Sequence, residues 1–453
     1  MDCKVITNVI IFTVNGKDEI IKNGTVIVEN GIIKNVGKKE EVPIPWNADQ
    51  IIDGQNKMAL LPGLVDTHNH SSLIKGVAEN QRMVDWLPVY DLEHRACVEE
   101  DAYHAARLCY LECLKNGTTT VMDMYRFMHK SAEAAEELGI RVHLAPYAAD
   151  VPPYNFFETT ETNEKLIKTH HMTNHGRIRV WMGLEDLFYC SRDMYEEAVR
   201  CEKEYGVGIH THGCEQKEEE ETVIKKFGKT TIDVLEERGI LGPNTLLAHC
   251  VWINDEDIKK MAASGTNLAH CPISAAKLGC GIARIPFMKK EGVNVSLGTD
   301  GPIDNNSMDL FQEMKFASLI QKAAHCDALV FGAKEMLRMA TIDGAKSLNM
   351  EKEIGSIEPG KSADLILVDC FRPNLWPIYW NEAENDTNLI WNLVFSAKGG
   401  DVDTVMVQGE ILVQGKKAVK VSESEILSAA QLQGTDWMRR REMHRQFITK
   451  PIK

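Results

Sequence analysis

The chain has 453 residues, more than one ordinary domain at roughly 150 residues each, or one large α/β barrel with a smaller companion. Its 51 Lys and Arg against 66 Asp and Glu give a formal net charge of −15, which excludes a protein built to hold a phosphate backbone. With 44% hydrophobic and 26% charged residues the composition is that of a folded globular protein, and no stretch reaches the roughly 18 unbroken apolar residues of a membrane span. The first sixty residues alternate β-rich runs with turns. The opening run Val5 to Val14 reads as a strand rather than a leader peptide. Asn30-Gly31 between two such runs signals a hairpin, because both residues tolerate the positive φ of a type I′ turn. From about Leu60 to Met350 short apolar strands alternate with helical spacing. The strands are Leu64-Val65, Thr118 to Met122, Arg141 to Leu144, Ile178 to Met182, Gly208 to Thr211, Thr245 to Ala248, Asn267 to Ala269 and Val293 to Leu297. Helical spacing recurs over Val98 to Lys115, Met194 to Tyr205 and Asp255 to Ser264. Further strands follow around Ala363 to Asp369 and Val402 to Val413, and the segment Ser422 to Lys453 reads as an exposed helix. The expected fold is therefore α/β: a (β/α)8 TIM barrel over residues 60–354, with a flanking β-sandwich built from both chain ends, 1–59 and 355–453. An open doubly wound sheet is the alternative, disfavoured because polar clusters recur after so many different strands. Twelve irregularly spaced cysteines without a CxxC pair suit a reducing cytoplasmic compartment better than a disulfide framework.

The chemistry-bearing residues sit where strands end. His68-Asn69-His70 closes the run beginning at Leu60, and residues i and i+2 of a strand project from one face, so both imidazoles can reach one ion. His210-Thr211-His212, His249 and Asp300 close three more strands. One such pair is weak support for a metal site, but four strands each delivering a metal-competent side chain are poorly explained by core packing. Glu215 follows His212 by three residues, a spacing that brings a carboxylate beside a metal without ligating it, where a proton shuttle belongs. The neighbouring run Glu218 to Glu221 reads instead as a solvated helix face, and Cys214 as a spectator thiol.

Taken together, Leu61-Pro62-Gly63-Leu64-Val65-Asp66-Thr67-His68-Asn69-His70, His212 with Glu215, Ala248-His249-Cys250, His270-Cys271-Pro272-Ile273-Ser274, Gly298-Thr299-Asp300-Gly301 and Gly355 to Asp364 resemble the amidohydrolase superfamily. The similarity is to its aminohydrolase branch of S-adenosylhomocysteine/5′-methylthioadenosine deaminases, guanine deaminases and s-triazine hydrolases. The resemblance implies a metal-dependent enzyme that hydrolyses a C–N bond of a cyclic amidine. Binuclear members usually carry a lysine after the fourth strand. Gly183-Leu184-Glu185-Asp186 has none, so one divalent ion is expected on His68, His70, His212 and Asp300, zinc before iron or manganese. By resemblance Asp300 accepts the water proton, Glu215 protonates a ring nitrogen, and His249 stabilises the attacking oxygen or the oxyanion.

Substrate contacts are expected from Trp86, by stacking, from Glu93 and Asn305, which match the adenosine-type branch, from His270, and from Glu185, where that branch commonly has histidine. A carboxylate there favours a ring edge with N–H donors. Ala145-Pro146-Tyr147-Ala148 also lacks an arginine for an amino-acid carboxylate. The expected function is hydrolytic deamination of an amino-substituted nitrogen heterocycle (purine or adenosine-type, pterin or triazine) with release of ammonia. Expulsion of chloride or an alkylamine from a triazine-like ring is the alternative, and a non-catalytic scaffold the reading from another class. Expected partners are a small heterocyclic substrate and other copies of the chain in a homo-oligomer, dimer or tetramer, with neither nucleic acid nor membrane.

Overall fold

The computed structural model describes residues 2–77, 79–81, 83–381 and 386–444; the last residues assigned above to the helical tail, 445–453, lie outside them. Two compact units emerge. The first comprises 1–66, 112–120 and 309–420, the second 67–111, 121–308 and 421–453.

In the first unit the two chain ends share one nine-stranded sheet. Met58–Pro62 is its seam, pairing parallel with Cys3–Phe12 and antiparallel with Leu365–Asp369. Ile6, Val9, Ile11, Val26, Val28, Ile33, Leu60, Leu365, Leu367 and Met406 pack into one buried cluster on it. The expected hairpin is present: Glu29 pairs with Ile32 across Asn30 and Gly31, whose φ values of 50° and 82° are those a type I′ turn demands.

The alternating pattern falls into two sheets, a four-stranded one running Leu64–Asn69, Thr118–Tyr125, Arg141–Pro146, Ile178–Val180, and a five-stranded parallel one running Met182–Leu184, Ile209–Gly213, Thr245–His249, Asn267–His270, Val295–Leu297. Thr118–Tyr125, Arg141–Pro146 and Thr245–His249 are buried at every position, as strands covered on both faces must be. The intervening helices begin and end where their caps dictate. Ser191 and Asn254 accept the first free N–H groups of Arg192–Tyr205 and Asp255–Ser264, and Gly206 and Gly265 end them at φ 66° and 76°.

The strand expected over Ile178 to Met182 is interrupted at Trp181. Its N–H donates to Leu144 O at 2.9 Å while the next N–H, of Met182, donates to Gly208 O at 2.9 Å, so the chain changes partner within one residue. Gly208 makes this possible, since a Cβ there would lie 2.4 Å from the Trp181 ring.

The C-terminal helix, Glu423–His444, is less exposed than its composition suggests. Trp437 is 2% exposed and donates from Nε1 to Glu93 O at 3.2 Å, Arg440 grips both carboxylate oxygens of Asp101 at 2.5 Å, and Glu425 pairs with Arg107 at 2.7 Å. Glu425 and Arg440, two of the charged residues of this segment, serve as anchors on either side of the buried Trp437 indole. Trp437→Ala is expected to cost about 3–5 kcal/mol, read as a lower midpoint in chemical denaturation.

Candidate active site

His68 and His70 lie two apart on Leu64–Asn69 and the residue after it, and point to one centre. His210 and His212 do the same on Ile209–Gly213, at different depths. The hydrogen bonds assign the tautomers. His210 Nδ1 lies 2.9 Å from Leu246 O and must carry the proton, so its Nε2 accepts from His68 Nδ1 at 2.8 Å. His70 Nδ1 donates to Met124 O at 2.5 Å and His212 Nδ1 to Glu185 O at 2.9 Å. Each Nδ1–H is thus committed to an acceptor, and the Nε2 lone pairs of His68, His70 and His212 are turned inward, the arrangement by which outer partners orient metal-binding imidazoles.

Asp300 completes the centre. Its Oδ1 lies 3.6 Å from His68 Nε2 and 3.3 Å from His70 Nε2, and His70 Nε2 is 3.4 Å from His212 Nε2. Two inward lone pairs at that separation repel unless a cation stands between them. Burial holds His68 and His212 well below the ordinary imidazole range, and hence neutral. Burial opposes Asp300's ionisation too, but the facing His70 and His249 outweigh it and pull its pKa down. Three neutral imidazoles and a carboxylate fit a divalent ion.

Backbone geometry is unusual at these positions. Asp300 and His249 have φ of 66° and 70°, and Cys214 and Cys250, beside them in the chain loops, 48° and 47°. Such values in non-glycine residues are costly and persist where the surroundings enforce them. For Asp300 the enforcement is visible: its N–H donates to His68 O at 2.8 Å, Ser274 Oγ donates to its Oδ2 at 2.6 Å, and Gly301 N–H to its Oδ1 at 2.8 Å. Gly298 lets this segment approach, since a Cβ there would fall 2.8 Å from His68 Cβ.

Glu215 and His249 stand beside this centre, His249 buried and Glu215 half-buried. Ligand atoms of Glu215, His249 and Asp300 lie within 4.8 Å of one another, as do those of His68, His212 and His249. His249 Nδ1 is 4.0 Å from Glu215 Oε1, and His249 Nε2 is 3.9 Å from Asp300 Oδ2. Cys280 Sγ donates to Glu215 Oε1 at 3.3 Å. The expected solvated face holds at Glu218 and Glu221, which are exposed, and is corrected at the two residues between them. Glu219 folds back to accept the N–H groups of Cys214, Glu215 and Gln216 at 3.0, 2.8 and 3.2 Å, and burial pushes its pKa up to about 8, while Glu220 is buried against Thr231. A loop carrying a functional glutamate needs its amides satisfied, and the adjacent carboxyl does this.

The residues expected to meet substrate are distributed unevenly. Trp86 is buried and stacked on Tyr90 at 5.1 Å, with its indole N–H unpartnered. Glu93 accepts from Ser72 Oγ and from Tyr125 OH at 2.8 Å. Glu185 Oε1 faces Tyr90 OH at 3.4 Å and Tyr147 OH at 3.3 Å, and its Oε2 is buried without a partner. Burial, and then the neighbouring Asp186, push its pKa well up. His270 is neutral, its pKa lowered by burial to about 3, and its Nε2 is likewise buried and unpartnered. Asn305 differs: its side-chain amide donates to Thr299 O at 2.6 Å, which braces the loop after Asp300. His210, Ser274 and Tyr147 take on roles that the sequence does not assign them: His210 stands in its own HxH pair and Ser274 in the motif after His270, but their partners His68 and Asp300 are visible only in space.

The amidohydrolase family profile matches residues 59–412, and the chain belongs to that family. It is 36% identical over 93% of its length to 96% of a 5-methylthioadenosine/S-adenosylhomocysteine deaminase of Thermoanaerobacter pseudethanolicus. It is 34% identical over 94% of its length to 96% of a 5′-deoxyadenosine deaminase of Methanosarcina mazei. Among solved structures, a zinc-bound adenosine deaminase from Xanthomonas campestris superposes with a TM-score of 0.89 at 23% identity, covering 97% of this chain and 98% of that one. A zinc complex of an atrazine chlorohydrolase from Arthrobacter aurescens TC1 gives 0.88 at 22% identity, covering 95% and 100%.

Protons would compete with a cation for this centre. Burial lowers the pKa of His70, but Asp300 more than offsets it and the net shift is upward, so the site gains a proton as pH falls. The apparent affinity for added zinc, followed by competition with a chromophoric chelator, is expected to weaken between about pH 8 and about pH 6, across the ordinary imidazole range.

Proposed function

We propose that the protein hydrolytically deaminates an amino-substituted nitrogen heterocycle, with an adenosine-type nucleoside as the leading substrate class, and releases ammonia. The observation that carries this reading is the placement of Glu215, His249 and Asp300 within 4.8 Å of one another beside three inward-facing imidazole nitrogens. The names of the relatives, deaminases of 5-methylthioadenosine, S-adenosylhomocysteine and 5′-deoxyadenosine, support the nucleoside.

The residues that would hold the metal are His68, His70, His212 and Asp300, and the ion we assign is a single zinc. When bound, such an ion supplies a water of lowered pKa. Asp300 Oδ2, fixed by Ser274, takes the proton of the attacking water. Glu215, held by Cys280 and by the Glu219-capped loop, delivers a proton to the ring nitrogen beside the carbon under attack. His249 lies between the two carboxylates, 4.0 and 3.9 Å from them, where it steadies the negative charge that develops on oxygen. Trp86, Glu93, Glu185 and His270 would bind the heterocycle, three of them through buried polar atoms that await a partner.

We also read the two sheets as one (β/α)8 barrel over 60–354, with the sheet from 1–59 and 355–453 as a flanking β-sandwich domain. The bonds from Trp181 N–H to Leu144 O and from Asp300 N–H to His68 O support closure, because they continue strand pairing across both gaps.

Glu215→Gln is expected to keep stoichiometric metal and lose about 10²–10⁴-fold in turnover, whereas His68→Ala and Asp300→Asn lose the metal as well. Elemental analysis beside turnover assays separates the cases, and near wild-type turnover in Glu215→Gln contradicts the assignment. Against a panel of adenosine derivatives, pterins, guanine derivatives and aminated or chlorinated triazines, ammonia release is expected to be fastest with adenosine derivatives. Release of chloride as the dominant activity would contradict the reading.

A further inference from the structure

A cleft of about 320 Å³ opens along the C-terminal helix, Glu423–His444. Leu73, Ile74 and Val77, in the chain just after His70, line one wall, and Leu427, Trp437 and Met438 of the helix line the other. Taking about 30 Å³ for each water displaced, the cleft has room for about ten non-hydrogen atoms, and its volume is that of a small-ligand site. Leu427 and Met438 remain 56% and 40% exposed, apolar surface that the chain's own packing leaves uncovered.

Gly434 keeps the cleft open. It lines the same space, and a Cβ there would meet nothing within 4 Å, so no close approach calls for glycine. Glycine inside a helix is destabilising relative to alanine, and what its missing side chain provides here is the empty floor of the cleft.

The end of the cleft carries a charge. Residues three and four apart share a face of a helix, so Arg441 stands one turn beyond Trp437 and Met438 on the face that lines the cleft. Its guanidinium lies 5.8 Å from the Trp437 ring, and its Nε is buried without a partner. The preceding Arg440 donates to Ala96 O at 3.0 Å and to both carboxylate oxygens of Asp101 at 2.5 Å, whereas Arg441 forms no hydrogen bond or ion pair among the described residues. Its charge reaches Glu93, but Oε1 of that carboxyl already accepts from Ser72 Oγ and Tyr125 OH. A half-buried guanidinium with unfilled donors at the end of an apolar cleft matches a ligand that is apolar along its length and anionic at one end.

We propose that this cleft binds a small amphipathic carboxylate, an unbranched aliphatic acid of about eight carbons, with its chain between the two apolar walls and its carboxylate on Arg441. The site and its ligand do not depend on the deaminase reading. An alcohol of the same length fills the walls without using the guanidinium, and an amine is repelled by it.

The test is titration calorimetry of the zinc-loaded protein with octanoate, 1-octanol and octylamine. Octanoate is expected to bind about tenfold or more tightly than octylamine, with octanol between them, and Arg441→Gln to bring the three within about threefold of one another. Gly434→Leu fills the floor and is expected to weaken octanoate at least about tenfold. Gly434→Ala, a smaller step in the same direction, supplies the reading should leucine disturb the helix. No octanoate binding by wild type, equal affinity for octanoate and octylamine, or a charge preference that survives Arg441→Gln overturns the proposal. Octanoate binding unchanged in both glycine variants overturns it as well, because the carboxylate is then held elsewhere, on the zinc ion included.

Discussion

Three imidazole lone pairs and one carboxylate are forced to face each other in a buried space, and the surrounding structure is organised to keep them there. Each imidazole spends its Nδ1–H elsewhere, on His210, Met124 O or Glu185 O, which leaves Nε2 of His68, His70 and His212 nothing to donate and only a lone pair to offer. Without a cation this is an unfavourable cluster. A cation held between them would offset that cost, and Leu246 O, Met124 O and Glu185 O would then set its affinity as much as the ligands themselves.

Holding such a cluster requires backbone that ordinary strands do not supply. Asp300 and His249 leave their strands at positive φ, and the turn at Asp300 is pinned by His68 O, Ser274 and Gly301 together. Gly298 is needed because His68 occupies the space any side chain would take. The same economy of position appears at Glu219, whose carboxyl satisfies three loop amides so that Glu215 is presented in one place. On the other side the C-terminal helix steadies Glu93 through Trp437, so a segment far along the chain helps set the wall of the pocket.

How much of this the sequence carries depends on how local each signal is. Strand ends are local: apolar runs terminated by His68-Asn69-His70, His210-Thr211-His212, His249 and Asp300 announce both the α/β alternation and the candidate ligands. The hairpin at Asn30-Gly31 is local for the same reason, since two residues fix its turn. The break at Trp181 is not, because it depends on Gly208 receiving an indole from another strand. The inward turn of Glu219 and the burial of Glu220 are hidden too, since an acidic run has the composition of a solvated face whichever way it turns.

The central claim is that one cation sits where these four side chains converge. It is tested most directly by anomalous diffraction at the zinc edge from crystals of the zinc-loaded protein. The account predicts a single strong peak within about 2.0–2.2 Å of His68 Nε2, His70 Nε2, His212 Nε2 and an Asp300 carboxylate oxygen. Two peaks, or one peak away from these four atoms, would contradict it.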